Sequence, residues 1–274
     1  MTAVTFDAGQ ITPAARPAGA LTAAATVAAR SVRKFVRTPQ LLVISTITGA
    51  MFLLIFRYVF GGAIGTGPVA YVDFMVPGYI VTSVLFTGSN ASTSVAQDLE
   101  EGFTDRLRSL PVSRTAVLAG RVVAESGLLA LGLTATGAIG FAVGFRPMGT
   151  GIEALAAFGL VLVFGFAFMW MFAFVGLVAG NVQAAQGMSL LIFPLSFVSS
   201  AMVPVETMPG WMQPIAENQP ITVMTNAVRS LALGDPALAG LSGSTAHYVT
   251  VALAWAAGLV VVFAPLAVAR FRTA

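Results

Sequence analysis

Charged residues and turn formers divide the chain into six apolar stretches, at about residues 41–60, 69–95, 116–145, 152–179, 184–203 and 246–269. A hydrocarbon layer about 30 Å thick is crossed by about 20 residues of α-helix, so each stretch is predicted to be a transmembrane helix. Only the polar turn Gly180-Asn181-Val182-Gln183 separates the fourth from the fifth, which makes them antiparallel neighbours. The fold class is therefore an all-α polytopic membrane protein, with a six-span domain over residues 39–274 and no internal repeat.

The segments outside the spans carry patterns of their own. Residues 1–20, rich in Ala, Pro, Thr and Gly, have neither the basic start nor the apolar core of a secretory signal and read as a disordered cytoplasmic tail. Within residues 21–38, Arg30, Arg33, Lys34 and Arg37 follow i, i+3, i+4, i+7 spacing, with Ala28, Val32, Phe35 and Val36 opposite. This pattern predicts an amphipathic helix lying on an anionic membrane surface; a solvated charge run beside the first span is the alternative.

Between spans two and three lies the densest charged segment, from Gln97 to Pro111. Gly102 is placed to cap the second span. Beyond it Phe103, Leu107 and Leu110 share one face of a short helix at 103–110, while Asp105, Arg106 and Arg108 face elsewhere and Pro111 ends it. Residues 204–235 are too long for a hairpin and too apolar for a free loop. Pro204, Pro209, Pro214 and Pro220 divide them, Trp211 suits the headgroup level, and Ile221 to Leu233 read as a short helix with one charge, Arg229. The expectation is a re-entrant segment whose backbone is shielded by protein.

Charge then orients the chain. Arg16, Arg30, Arg33, Lys34, Arg37, Arg106, Arg108, Arg114, Arg121, Arg270 and Arg272 fall on one side, against Arg57, Arg146 and Arg229 on the other. The positive-inside rule makes the first side cytoplasmic and places both termini there. Of the 274 residues 57% are hydrophobic and 9% charged, where a soluble domain carries about 25% charged residues. With a mean hydropathy of +0.88, the surplus apolar surface faces lipid. A net charge of +3 reports topology here, since no basic groove with interleaved aromatics accompanies it to suggest nucleic acid.

Several chemistries are excluded on composition. There is no cysteine, hence no disulfide or thiolate site, and a single histidine, His247, cannot build a His-rich metal centre. The one lysine, Lys34, has no glycine-rich loop before it, so the phosphate cradle of a P-loop ATPase is missing. His247 beside Ser244 or Ser242 raises a serine hydrolase reading, but nothing marks either serine as a nucleophile.

Ionisable groups within spans are functional candidates by default. Glu125, four residues after Arg121 in span three, is expected to pair with it on one helix face; a proton or substrate role for the carboxylate is the alternative. Arg57, Asp73 and Glu153 fall at outer span ends and are expected to snorkel to water. Asn90 and Gln97 suit interhelical hydrogen bonds. In span four, Phe164, Phe166, Phe168, Trp170, Phe172 and Phe174 suit ordinary packing and lipid contact, with an apolar substrate path as the other reading.

Over roughly residues 25–272 the chain resembles the membrane subunit of type-2 ABC exporters, in the branch of the daunorubicin-resistance permeases. The resemblance is carried by Glu101-Gly102-Phe103 with Arg106-Leu107-Arg108-Ser109-Leu110-Pro111-Val112-Ser113-Arg114, and by Phe197-Val198-Ser199-Ser200-Ala201-Met202-Val203-Pro204 with Met208-Pro209-Gly210-Trp211 and Asn218-Gln219-Pro220. It implies that Phe103, Asp105, Arg106, Leu107, Arg108 and Leu110 form a coupling helix docking on a separate ATP-binding subunit. It further implies that the surface helix with Arg30, Arg33, Lys34 and Arg37 is a connecting helix touching the same ATPase, and that Pro209, Trp211 and Pro220 belong to an outer re-entrant element.

By the same resemblance this chain is no enzyme: ATP and Mg sit on the partner ATPase. A second permease copy or a sibling permease completes the pathway in a bacterial plasma membrane, and the cargo is a drug, lipid or glycolipid. An ion-coupled secondary transporter, with Glu125 as its coupling carboxylate, is the alternative.

Overall fold

The computed structural model describes residues 39–66, 68–102, 114–239, 241 and 243–273. The tail at 1–20, the amphipathic helix at 21–38 with Arg30, Arg33, Lys34 and Arg37, and the short helix at 103–110 with Phe103, Asp105, Arg106, Leu107, Arg108 and Leu110 lie outside the described residues.

Helix α1, Pro39–Ile55, continues into a π-helical turn, Phe56–Phe60. There follow α2, Tyr71–Glu100, α3, Arg114–Val143, and α4, Gly151–Ala179. Two short helices come next, α5, Val182–Leu190, and α6, Phe193–Phe197. An irregular stretch over 198–204 and a 3-10 turn, Val205–Thr207, lead to α7, Gln213–Asn218, and α8, Pro220–Leu233. The long α9, Thr245–Thr273, closes the chain.

At their inner ends α2, α3 and α9 run two to five residues past the apolar stretches that announce them, because backbone hydrogen bonding continues into polar residues there. The ends of the long helices carry recognisable stops. Gly102, at φ 64°, closes α2 with its N–H on the Leu99 carbonyl at 3.1 Å, as its position suggested. A capping box starts α4: Thr150 Oγ1 accepts the Glu153 N–H while the Glu153 carboxylate accepts the Thr150 N–H at 2.7 Å.

Six spans were expected, and the described residues show four of them as long apolar helices. Among the described residues four helices are long and apolar enough to cross a bilayer, Tyr71–Glu100, Val117–Val143, Gly151–Ala179 and Thr245–Thr273. Ile47–Phe60 and Val182–Phe197 are shorter apolar stretches. The expected fifth helix at 184–203 breaks after Leu190, where Pro194 brings no N–H for the Leu190 carbonyl and its ring crowds that turn. Asn181 starts α5 earlier than expected by accepting the Ala184 N–H at 2.7 Å.

Helices α2 and α4 form the centre of the bundle: 67% and 61% of their apolar windows are buried, against 17% for both α3 and α9. Their contact is made close by a small residue, as is usual between helices in lipid. The Phe172 ring lies so near Gly88 that a Cβ there would fall 2.0 Å from Cδ2. Phe164, Phe168 and Phe172, one turn apart, are fully buried, and successive ring centroids lie 4.6 and 6.4 Å apart. Phe174 meets Phe263 of α9 at 5.9 Å. Phe164, Phe168 and Phe172 are core and Phe174 packs against it, as the packing reading of span four expects.

Candidate functional site

Two polar assemblies interrupt this apolar bundle, one at each end. At the end predicted to face outward, the irregular stretch over 198–204 is packed inside protein. Ser199, Ser200 and Ala201 are buried. A backbone with no helical partners in a place without water must find its hydrogen bonds among side chains. Here it does. The Ser200 N–H donates to Thr222 Oγ1 at 3.0 Å and its hydroxyl to Asn226 Oδ1 at 3.0 Å. Gln219 Nε2 donates to the carbonyls of Leu195 and Val198, and the Tyr71 hydroxyl to that of Met202 at 3.3 Å.

Arg229 is the centre of this assembly. Only 3% exposed, it donates from Nε and Nη2 to the Phe74 carbonyl at 3.1 and 3.0 Å, from Nη2 to the Ser200 carbonyl at 2.9 Å, and from Nη1 to Asn226 Oδ1 at 3.3 Å. The guanidinium also lies 3.6 Å above the Phe74 ring centroid. One turn of α2, the irregular stretch and α8 are thus tied through a single cation. At Gly78 the stretch meets α2 backbone directly, for a Cβ there would fall 1.8 Å from the Ala201 carbonyl oxygen.

The helix expected from Ile221 to Leu233 is present as α8, begun by Pro220 at its first turn and buried on nearly every side. Trp211, 72% exposed, stands at the opposite extreme. The Pro209 carbonyl takes the N–H groups of Met212 and Gln213 at 2.8 and 3.3 Å, starting α7.

At the inner end, Arg121 of α3 forms an ion pair with Asp98 of α2 and donates from Nη2 to Ser94 Oγ at 2.8 Å. The expected partner of Arg121 was Glu125; the structure turns the guanidinium across to α2, where a buried carboxylate and a hydroxyl one turn apart receive it together. Glu125 lies half-buried on α3.

Other expectations are sorted by the same geometry. Asp73 does not reach for water: it is buried and accepts the Arg146 N–H at 3.0 Å, while the Arg146 side chain caps α3 at the carbonyls of Phe141 and Phe145. Gln97 bonds along its own helix to Glu101 at 2.8 Å, and Asn90 is exposed, so Ser94 and Asp98 make the interhelical bonds expected of those two. Ser244 Oγ accepts the His247 N–H at 3.3 Å as the cap of α9 and forms no nucleophile pair with the imidazole. Arg229 and Asp98 escaped the sequence reading. The signal for Arg229 was present, a lone charge on an apolar helix. Asp98 lay in a charged run that concealed it.

The chain matches the family described as ABC-2 type transporter over residues 22–233. It is 34% identical over 261 residues to the daunorubicin resistance ABC transporter permease protein DrrB1 of Streptomyces coeruleorubidus, covering 94% of this chain and 89% of the relative. It is 30% identical over 236 residues to DrrC of Mycobacterium tuberculosis, a permease named for doxorubicin resistance, covering 83% and 82%. A more distant similarity, 25% over 185 residues, links it to the transport permease ycf38 of Porphyra purpurea. The chain belongs to the ABC-2 type transporter family. It is the membrane permease component of an ABC exporter, a non-catalytic, multi-pass subunit of the bacterial inner-membrane kind.

Proposed function

We propose that this permease moves a hydrophobic or amphipathic molecule, a drug, lipid or glycolipid, out of the cytoplasm with energy from a separate ATPase subunit that holds ATP and Mg. The observation that carries this is the similarity to a daunorubicin resistance permease along 94% of the chain, joined to the missing phosphate cradle. The ATPase docks on the segment at 103–110 through Phe103, Asp105, Arg106, Leu107, Arg108 and Leu110, and on the surface helix through Arg30, Arg33, Lys34 and Arg37. The chain crosses the membrane six times, its first and fifth crossings made by α1 with its π turn and by α5 with α6. Residues 204–235, with Pro209, Trp211 and Pro220, enter the outer leaflet and return. Two copies, or this chain and a sibling, enclose the pathway.

ATP drives the cycle by binding the closed arrangement of the motors more tightly than the open one, since a ligand shifts an equilibrium only by its preference between states. The test is capture of the ATPase by the tagged chain, solubilised gently from its own host, with Leu107→Asp beside it. Equal amounts of ATPase and permease in the parent, and loss of the ATPase from a variant that still inserts, are expected. Undiminished capture by the variant overturns the docking assignment. Absence of any ATPase while transport continues points instead to an ion-coupled carrier, with Glu125 the next residue to change.

A further inference from the structure

The inner ends of α2 and α3 are joined more strongly than two neighbouring spans require. Asp98 lies two residues before the end of α2 and Arg121 seven residues into α3, about 3 and 10 Å along the respective axes from the intervening loop. Asp98 is 6% exposed. The Arg121 guanidinium bridges Asp98 and Ser94, one turn apart, so two bonds fix the register of α3 against α2. Sliding either helix by a single residue's rise breaks both, because such bonds do not survive an added ångström or two.

Two further contacts hold the same end of α2. Glu100 Oε1 accepts the Val182 N–H that opens α5 at 3.2 Å, and Gly176 of α4 approaches until a Cβ would lie 2.4 Å from the Ser92 carbonyl oxygen. The outer ends of α2 and α3 are joined in the same manner, Asp73 of α2 receiving the N–H of Arg146 just beyond α3. At the next residue of α2, Phe74 accepts Arg229, which also holds the Ser200 carbonyl of the irregular stretch. A displacement applied to the inner loop therefore has a continuous bonded route to the outer assembly.

A buried ion pair is a poor device for stability alone, since apolar residues of similar volume often serve as well or better. We propose that Asp98, Arg121 and Ser94 are positioning residues for transport: they make α2 and α3 answer the loop as one body, so that motion at the ATPase reaches the outer segment. This inference rests on the reading of 103–110 as the docking segment.

The test uses the complex of permease and ATPase. Because the chain contains no cysteine, Val203→Cys supplies a single thiol on the outer stretch. Its alkylation by an impermeant maleimide is timed without nucleotide and after trapping with MgATP and vanadate. A single change at Asp98 or Arg121 strands a buried charge, so the working variant is Asp98→Leu with Arg121→Met, and the exchanged pair, Asp98→Arg with Arg121→Asp, is the rescue.

The parent should change its alkylation rate on trapping by about tenfold, within the range usual for coupled sites. The apolar double variant should keep ATPase capture and hydrolysis but lose that response, and the exchanged pair should recover it. A double variant that responds like the parent shows a purely structural pair and overturns the proposal, as does a parent that binds ATPase yet shows no response. Failure of the parent to capture ATPase, or full capture by Leu107→Asp, instead removes the docking reading and this inference with it.

Discussion

Replacing Arg229 by Met probes how the buried irregular backbone is sustained. The side chain keeps similar length, but the carbonyls of Phe74 and Ser200 lose their guanidinium donors and Asn226 Oδ1 keeps only the Ser200 hydroxyl. Each buried polar group left unsatisfied costs about 1–3 kcal/mol, and loss of the contact with the Phe74 ring adds about 0.5–2 kcal/mol. Against this stands relief from burying a cation whose counter-charge, Glu206, acts on it without a direct hydrogen bond; such relief reaches several kcal/mol for an ion.

The balance is a destabilisation of about 2–4 kcal/mol, or roughly 5–15 °C in Tm for a chain of this size. Thermal unfolding of the solubilised protein, followed by tryptophan fluorescence, measures it. Alkylation of Val203→Cys in the same background reports whether the stretch has loosened. An Arg229→Met protein with Tm within about 1 °C of the parent and unchanged alkylation would refute the reasoning, for the carbonyls would then be satisfied without the cation.

Two further outcomes follow from the same structure. Gly78→Val should sharply reduce folded protein in the membrane, because the new Cβ meets the Ala201 carbonyl oxygen at 1.8 Å, whereas Gly127→Val, where nothing lies within 4 Å, should leave the amount unchanged; quantitative immunoblotting compares them. Asp98→Asn should lower Tm more than Glu125→Gln, since the first strands the Arg121 charge, at about 3–5 kcal/mol, while Glu125 is half-buried. If Glu125→Gln keeps normal protein levels and Tm but abolishes transport, the carboxylate acts on substrate or protons.

The membrane class, the family and most element ends were legible along the chain. Apolar run length announces a span because the bilayer fixes how many helical residues it needs, and a cap such as Gly102 acts on its nearest neighbours. The Pro194 break was equally local, though it lay within an apolar run that hid it. The lone charge at Arg229 and the serines and glutamine around the outer stretch were visible as residues, but their purpose was not.

What only the tertiary structure decided is which polar group meets which. Arg121 had a plausible partner four residues away in Glu125 and took another 23 residues away in Asp98, and Arg229 found Phe74 at a separation of 155. Sequence patterns report neighbours within a turn or two of helix. The register between helices is set by side-chain packing and by the need of every buried polar group for a partner, a condition imposed by the whole bundle at once.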